Sequence, residues 1–90
     1  MAIEVTRTHA LGKTTARRQV ESVAARLVDA LGVRCAWEGD RLVFARKGVD
    51  GYIDVGERDV TVHVKKSRML PVPESLIRQQ IEAQLDRHFG

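Results

Sequence analysis

The sequence predicts an α+β domain of two layers, in which an antiparallel sheet of about five strands carries two helices on one face, in the order β-α-β-β-β-β-α. Two segments carry a single apolar stripe at helical spacing, and five others alternate apolar with polar residues. Four of those five follow one another across short glycine-containing breaks, which favours hairpins and therefore antiparallel pairing. Ninety residues, 43% hydrophobic and 30% charged, suit one domain over residues 1–90.

The first two predicted elements are a strand over residues 2–8 and a helix over residues 14–31. Apolar residues occupy every second position of the strand, as expected of a half-buried one. We expect Thr14 or Thr15 to cap the helix and Gly32 to end it, because a hydroxyl can accept a first-turn N–H and glycine adopts the left-handed conformation that closes many helices. The apolar stripe of the helix comprises Ala16, Val20, Val23, Ala24, Leu27 and Leu31.

A β-hairpin is predicted from residues 34–38 and 41–46 around the turn Gly39–Asp40. A two-residue turn fixes the register and places three pairs opposite one another, which are Glu38 with Arg41, Trp37 with Leu42, and Cys35 with Phe44. The last two pairs are apolar and share one face, and the first places opposite charges beside the turn. Pairs that agree in chemistry across the strands support this register.

The remaining elements are a strand over 52–55, a strand over 60–66 and a final helix of about fifteen residues that starts near Pro73 or Glu74. The segment 47–51 is predicted as a break before the first of these strands. The turn between the strands should set Val55 opposite Val60 and Ile53 opposite Val62. The apolar stripe of the final helix comprises Ile77, Ile81, Leu85 and Phe89.

The net charge is +3, and the excess of Lys and Arg lies in residues 1–34. A basic domain with a polar sheet face could bind nucleic acid, so a small nucleic-acid-binding regulatory domain is the alternative function. Single-strand recognition usually needs exposed aromatic platforms. The chain has four aromatic residues, and alternation directs only Tyr52 to the polar face. Nucleic acid is therefore the less favoured partner.

No catalytic, cofactor-binding or metal-binding set emerges from the motifs, so we expect a protein that is not an enzyme and needs no cofactor. The segment 11–15, LGKTT, resembles the end of a phosphate-binding loop, but Arg7 stands where that loop requires glycine. The three histidines are scattered, whereas a zinc site needs several converging ligands. Cys35 alternates with Trp37 and is expected to be a small buried hydrophobe.

The cytoplasm is the expected location. Glu4 and Arg7 interrupt the apolar residues at the start of the sequence, whereas a signal peptide has a continuous apolar stretch there. No run approaches the roughly 20 apolar residues of a membrane span. A single cysteine offers no intramolecular disulfide.

Apolar residues without helical or strand periodicity occur in the predicted loop 67–73. These are Met69, Leu70 and Val72. Such a segment either covers an open end of the small core or contacts a partner. We take Met69, Leu70 and Val72 as the candidate contact loop.

Several segments resemble those of a small bacterial family, the polyhydroxyalkanoic acid system proteins. They are the opening IEVTRTHALGKTTAR, the helix end LVDALG, the stretch WEGDRLVFARKGVDGYIDV and the closing IRQQIEAQLDRHFG. The family is named for its association with polyhydroxyalkanoate storage genes, and it offers no catalytic set to carry over. The resemblance implies a non-enzymatic accessory protein, acting in the cytoplasm or at storage granules. Its expected partner is a granule-associated protein, the polyester granule surface or an acyl ligand.

Overall fold

The computed structural model describes residues 2–67 and 72–89 and confirms the α+β class and the order of elements. Each element is formed by one of the segments that the apolar patterning marks. The elements are β1 (Ala2–Thr8), α1 (Gly12–Leu31), β2 (Arg34–Glu38), β3 (Arg41–Arg46), β4 (Val49–Val55), β5 (Asp59–Lys66) and α2 (Glu74–Phe89). None of the helices in these described residues is long and apolar enough to cross a membrane.

The five strands form one antiparallel sheet in the order β1-β5-β4-β3-β2. Both helices pack on the same face, since the sheet residues that are buried all lie on one side of the pleat. The register confirms the predicted pairs, which are Cys35 with Phe44, Trp37 with Leu42, Ile53 with Val62 and Val55 with Val60. The core therefore lies between the helices and one face, and the other face is open.

The turn between β2 and β3 has the predicted two residues. Gly39 has a φ of 64°, while Asp40 has no positive φ. Glycine at the first central position is what a type II′ turn requires, and this turn matches the twist of the flanking strands.

Helix α1 buries the six predicted stripe residues, but it begins earlier than predicted. It starts at Gly12, and no side chain caps its first turn, so the expected cap by Thr14 or Thr15 is wrong. Gly12 has a φ of 76°, which lets the chain turn directly into the helix. The C-terminal end is as predicted, because Gly32 is left-handed and its N–H donates to the carbonyl of Val28 at 2.8 Å.

Strand β4 begins at Val49, so the predicted break over 47–51 is wrong for its last three residues. The turn itself needs only Lys47 and Gly48, and Gly48 has a φ of 95°. Val49 is only 3% exposed and belongs to the core. Burial of this side chain outweighs the weak strand propensity of the residues that follow it.

Candidate functional site

An apolar groove lies between the C-terminal end of α1 and the N-terminal end of α2. We call it the helix-end groove. Its volume is about 250 Å³. Its lining is mainly aliphatic and consists of Leu27, Ala30, Leu31, Val72, Leu76, Ile77 and Gln80. The groove is thus formed where the two apolar stripes separate at the end of the core.

Local structure at the start of α2 shapes one wall of this groove. The carbonyl of Pro73 accepts hydrogen bonds from the N–H groups of Leu76 and Ile77, at 3.1 and 3.2 Å. This first turn places Ile77 in the core and leaves Leu76 45% exposed at the groove. An apolar side chain that is half exposed in a concave surface is available for contact with another molecule.

Of the predicted contact loop, Val72 lies in the groove wall and is partly buried against the core. Met69 and Leu70 lie outside the described residues. The structure therefore brings Val72 together with Leu76, which sequence periodicity places beside the stripe of the final helix. A residue at the margin of a helical stripe can be core or surface, and only the position of the neighbouring helix decides between them.

A second, polar cavity of about 330 Å³ lies at one end of the sheet, where β3 ends, β4 begins and β5 ends. It is lined by Arg46, Gly48, Val49, Asp50, Lys65, Lys66 and Ser67. Arg46 connects the two cavities, because its Nη1 donates to the carbonyl of Leu31 at 2.8 Å. A guanidinium at this carbonyl also interacts favourably with the negative end of the α1 dipole. The groove thus has a cationic flank.

The open sheet face carries a ladder of polar and aromatic side chains that crosses four strands. Glu4 Oε2 lies 3.4 Å from His63 Nδ1, and the His63 ring stacks on Tyr52 at 5.0 Å between centroids. On the β3 side, Arg41 lies 4.0 Å from the centroid of Tyr52. Arg41 in turn donates to both carboxylate oxygens of Asp54, at 2.6 and 3.1 Å, and this hydrogen bonding raises the pKa of Arg41.

This ladder bears on the alternative of a nucleic-acid-binding surface. Tyr52 does point to the open face, as alternation predicts. However, His63 and Arg41 approach it from the two neighbouring strands and cover both faces of its ring. A base would have to displace one of them to stack on Tyr52.

His9, His88 and Lys13 each contact a different part of the fold. His9 bonds to the turn between β4 and β5, and His88 Nδ1 lies 2.8 Å from Gln19 Oε1. Lys13 of the LGKTT segment forms an ion pair with Asp40 at 2.9 Å. Within residues 2–67 and 72–89, no three residues of the types His, Cys, Asp and Glu are grouped so that they could hold a metal ion.

Cys35 is partly buried against the core beside Trp37, and is less completely buried than the sequence predicts. Desolvation raises the pKa of its thiol. A protonated thiol is a poor nucleophile, and activation would require a neighbouring base or positive charge.

The model of the family described as "putative polyhydroxyalkanoic acid system protein" matches residues 3–89, which is nearly the whole chain. No curated protein and no solved structure matches the chain.

Proposed function

This chain belongs to the polyhydroxyalkanoic acid system protein family, and on that basis we propose that it serves polyhydroxyalkanoate storage as a non-enzymatic accessory protein. In this proposal it acts at the storage granule by binding a partner through the helix-end groove. The observation that carries the proposal is the apolar groove, with Leu76 exposed at its wall and Val72 beside it.

The size of the groove supports docking rather than catalysis. Its volume of about 250 Å³ lies below the roughly 300–1,000 Å³ of pockets that enclose a whole small-molecule ligand. Such a groove accepts one apolar side chain or the end of an acyl chain. The described lining of the groove contains no histidine, cysteine or acidic residue, so this part of the wall supplies contact surface and no acid–base pair.

The cationic flank favours a granule-associated protein as the partner. Arg46 and Lys66 line the neighbouring cavity and alternate to the helix side of the sheet, and Arg46 is hydrogen-bonded to the groove residue Leu31. A polyester surface is uncharged and offers these cations no counter-charge. A protein that presents an apolar side chain next to acidic residues matches both the groove and its flank.

Co-sedimentation with isolated granules tests this function. The test variant is Leu76→Ser, and the matched control is Leu11→Ser, because Leu11 is similarly exposed (41%) but lies at the opposite end of α1. We expect Leu76→Ser to lower the bound fraction several-fold and Leu11→Ser to leave it unchanged. A variant with serine at Met69, Leu70 and Val72 extends the test to the contact loop. Equal binding of all these proteins would contradict the proposal.

A second arm separates the three partner classes. Native granules are compared with granules stripped of their proteins by detergent. Loss of binding after stripping supports a granule-associated protein. Undiminished binding to stripped granules indicates the polyester surface, while competition by a soluble 3-hydroxyacyl carboxylate indicates an acyl ligand.

A further inference from the structure

Strand β2 is an edge of the sheet and, among the described residues, pairs only with β3. In a two-residue hairpin the residues that flank the turn, here Glu38 and Arg41, form a hydrogen-bonded pair. The alternation of an antiparallel ladder then turns the N–H and C=O groups of Cys35 and Trp37 away from β3. The open edge therefore presents two backbone donors and two acceptors in a row. The opposite edge of the sheet is β1, and it differs from β2 in having α2 packed beside it.

The outer face of β2 is charged in a self-complementary way. Arg34 and Glu38 are both exposed, and they stand two residues on either side of Ala36. Neither forms an ion pair with any residue in 2–67 or 72–89. Arg41, directly across from Glu38, has its guanidinium held by Asp54 instead. If β2 lies antiparallel to the β2 of a second copy, centred on Ala36, each Arg34 faces the other copy's Glu38.

This register is also the one that the backbone favours. Within β2, only Cys35 and Trp37 direct their backbone N–H and C=O groups to the open edge. The hydrogen-bonded pairs between two copies must therefore be formed by these two residues. Centring on Ala36 sets Cys35 opposite the second copy's Trp37 twice. A shift by two residues would set Cys35 or Trp37 opposite itself and separate the opposite charges. Charge and hydrogen bonding therefore select the same register.

An apolar strip lies beside this edge on the helix face. Cys35 and Trp37 are only partly buried, and Arg17 of α1 lies 4.2 Å from the Trp37 ring. Val28 follows Arg17 by eleven residues, which is about three full helical turns, so the two side chains differ by only about 20° in direction around the helix axis. Val28 therefore lies on the side of α1 that faces β2, and it is 41% exposed. A two-fold axis normal to the sheet would bring this strip against its own copy.

We propose that the protein forms a homodimer through antiparallel pairing of β2 with β2 of a second copy, centred on Ala36, so that the two sheets become one. The interface combines the paired edge, the Arg34–Glu38 ion pairs and the strip of Val28, Cys35 and Trp37. The strand is five residues long, so we expect a reversible dimer whose population rises with concentration. The interface is separate from the helix-end groove, and it does not depend on the proposed function.

Sedimentation equilibrium of the purified chain and charge-reversed variants tests the dimer. Arg34→Glu and Glu38→Lys each set like charges opposite one another, and we expect each to raise the dimer Kd about tenfold or more. Asp29→Lys is the matched control, because it makes the same charge change as Glu38→Lys on an exposed part of α1. This control should dimerise like the unmodified chain.

Mixing the two variants gives the decisive measurement. In a mixed dimer the new glutamate at position 34 of one variant would face the new lysine at position 38 of the other. The native Glu38 of the first variant would face the native Arg34 of the second, so both pairs would again join opposite charges. We therefore expect the equimolar mixture to dimerise at a concentration at which each variant alone is mainly monomeric, and circular dichroism checks that both are folded.

Three results would overturn the proposal. The first is an unmodified chain that is monomeric at its highest soluble concentration. The second is a pair of charge-reversed variants that dimerise as well as the unmodified chain does. The third is a pair of folded variants that do not associate when they are mixed.

Discussion

Phe44 and Gly51 face each other across β3 and β4, and the ring of Phe44 fills the space that a side chain at position 51 would need. A Cβ on Gly51 would lie 2.8 Å from Phe44 Cζ and 3.0 Å from Val64 Cα, and it would also collide with the carbonyl of His63. Phe44 is completely buried, so its ring has no free direction in which to move. This contact explains why the middle of β4 carries glycine.

Gly51→Ala should lower the free energy of unfolding by roughly 1–3 kcal/mol, because overpacking forces the ring and the β5 backbone to shift. Chemical denaturation measures this change. Gly56→Ala is the control, since its nearest neighbour is the Asp59 carboxylate, a flexible group that can rotate away. If Gly51→Ala lowers the free energy of unfolding no more than Gly56→Ala does, the explanation is wrong.

The His9 side chain joins the start of α1 to the turn between β4 and β5. The Nδ1 atom of His9 accepts a hydrogen bond from the N–H of Leu11 at 3.2 Å, so the ring proton is on Nε2. The Nε2–H group then donates to the carbonyls of Gly56 and Asp59, at 3.1 and 3.2 Å. His9→Ala should therefore cost about 1–2 kcal/mol of unfolding free energy. Thermal or chemical unfolding measures the loss, and ¹⁵N shifts of the imidazole report the tautomer.

His63→Ala is the comparison for His9. His63 belongs to the sheet face and its 3.4 Å contact with Glu4 is solvent-exposed, so its loss should matter less. If the two alanine variants are equally stable, or if His9 proves to carry its proton on Nδ1, the proposed connection is wrong.

Asp40 ties the β2–β3 turn to the first turns of α1. Its carboxylate lies 2.9 Å from Lys13 Nζ and 3.3 Å from Arg17 Nη1. The hydrogen bond from Lys13 is the main reason that the pKa of Asp40 lies below its ordinary value of 3.8. The native state therefore binds this proton less readily than the unfolded state. The resulting stabilisation is present above pH 3.8 and is lost as the pH falls through the lowered pKa.

Asp40→Asn should accordingly be less stable than the unmodified chain at neutral pH, and the difference should shrink as the pH falls below 3.8. Added salt should also shrink it, because the pairs are exposed. Urea unfolding at a series of pH values measures both effects. Asp29→Asn is the matched control, because it removes one carboxylate at an exposed position of α1 that has no ion pair with any described residue. If the difference in unfolding free energy between Asp40→Asn and the unmodified chain does not change with pH, the ion pair is not the source of the stabilisation.

Cys35 should react slowly with alkylating reagents. Burial raises the pKa of its thiol above the ordinary value of 9.0, so little thiolate exists at neutral pH. The rate of iodoacetamide alkylation as a function of pH reports this pKa directly, and alkylation in denaturant supplies the accessible reference. An apparent pKa below the ordinary value of 9.0 would mean an activated thiol and would reopen the question of Cys35 as a nucleophile.

Much of the fold could be predicted because the relevant signals are local. The stripe of α1 needs only helical spacing, and the pairing of Trp37 with Leu42 follows from a two-residue turn. The start of α1 could not be predicted in this way. His9 accepts the N–H of Leu11, the residue before the helix, and its ring is held by a turn that lies far along the chain.

The candidate site could be predicted less well, for a related reason. Aperiodic apolar residues draw attention to Val72, which does line the helix-end groove. Leu76 is placed by its spacing only at the margin of a helical stripe. Its exposure depends on how far the end of α1 stands from the start of α2, which is a tertiary distance that no local pattern encodes. The same holds for Trp37, which stays partly exposed because β2 ends the sheet.

The pairing of β1 with β5 sets an order of events during synthesis on the ribosome. Ile3 lies opposite Val64, so β1 leaves the ribosome well before β5, the strand that completes its backbone hydrogen bonds. In that interval the nascent chain exposes a short apolar segment that chaperones can hold and that neighbouring nascent chains can capture. Closure of this long loop, and not the winding of α1, is therefore the step that we expect to limit the rate of folding.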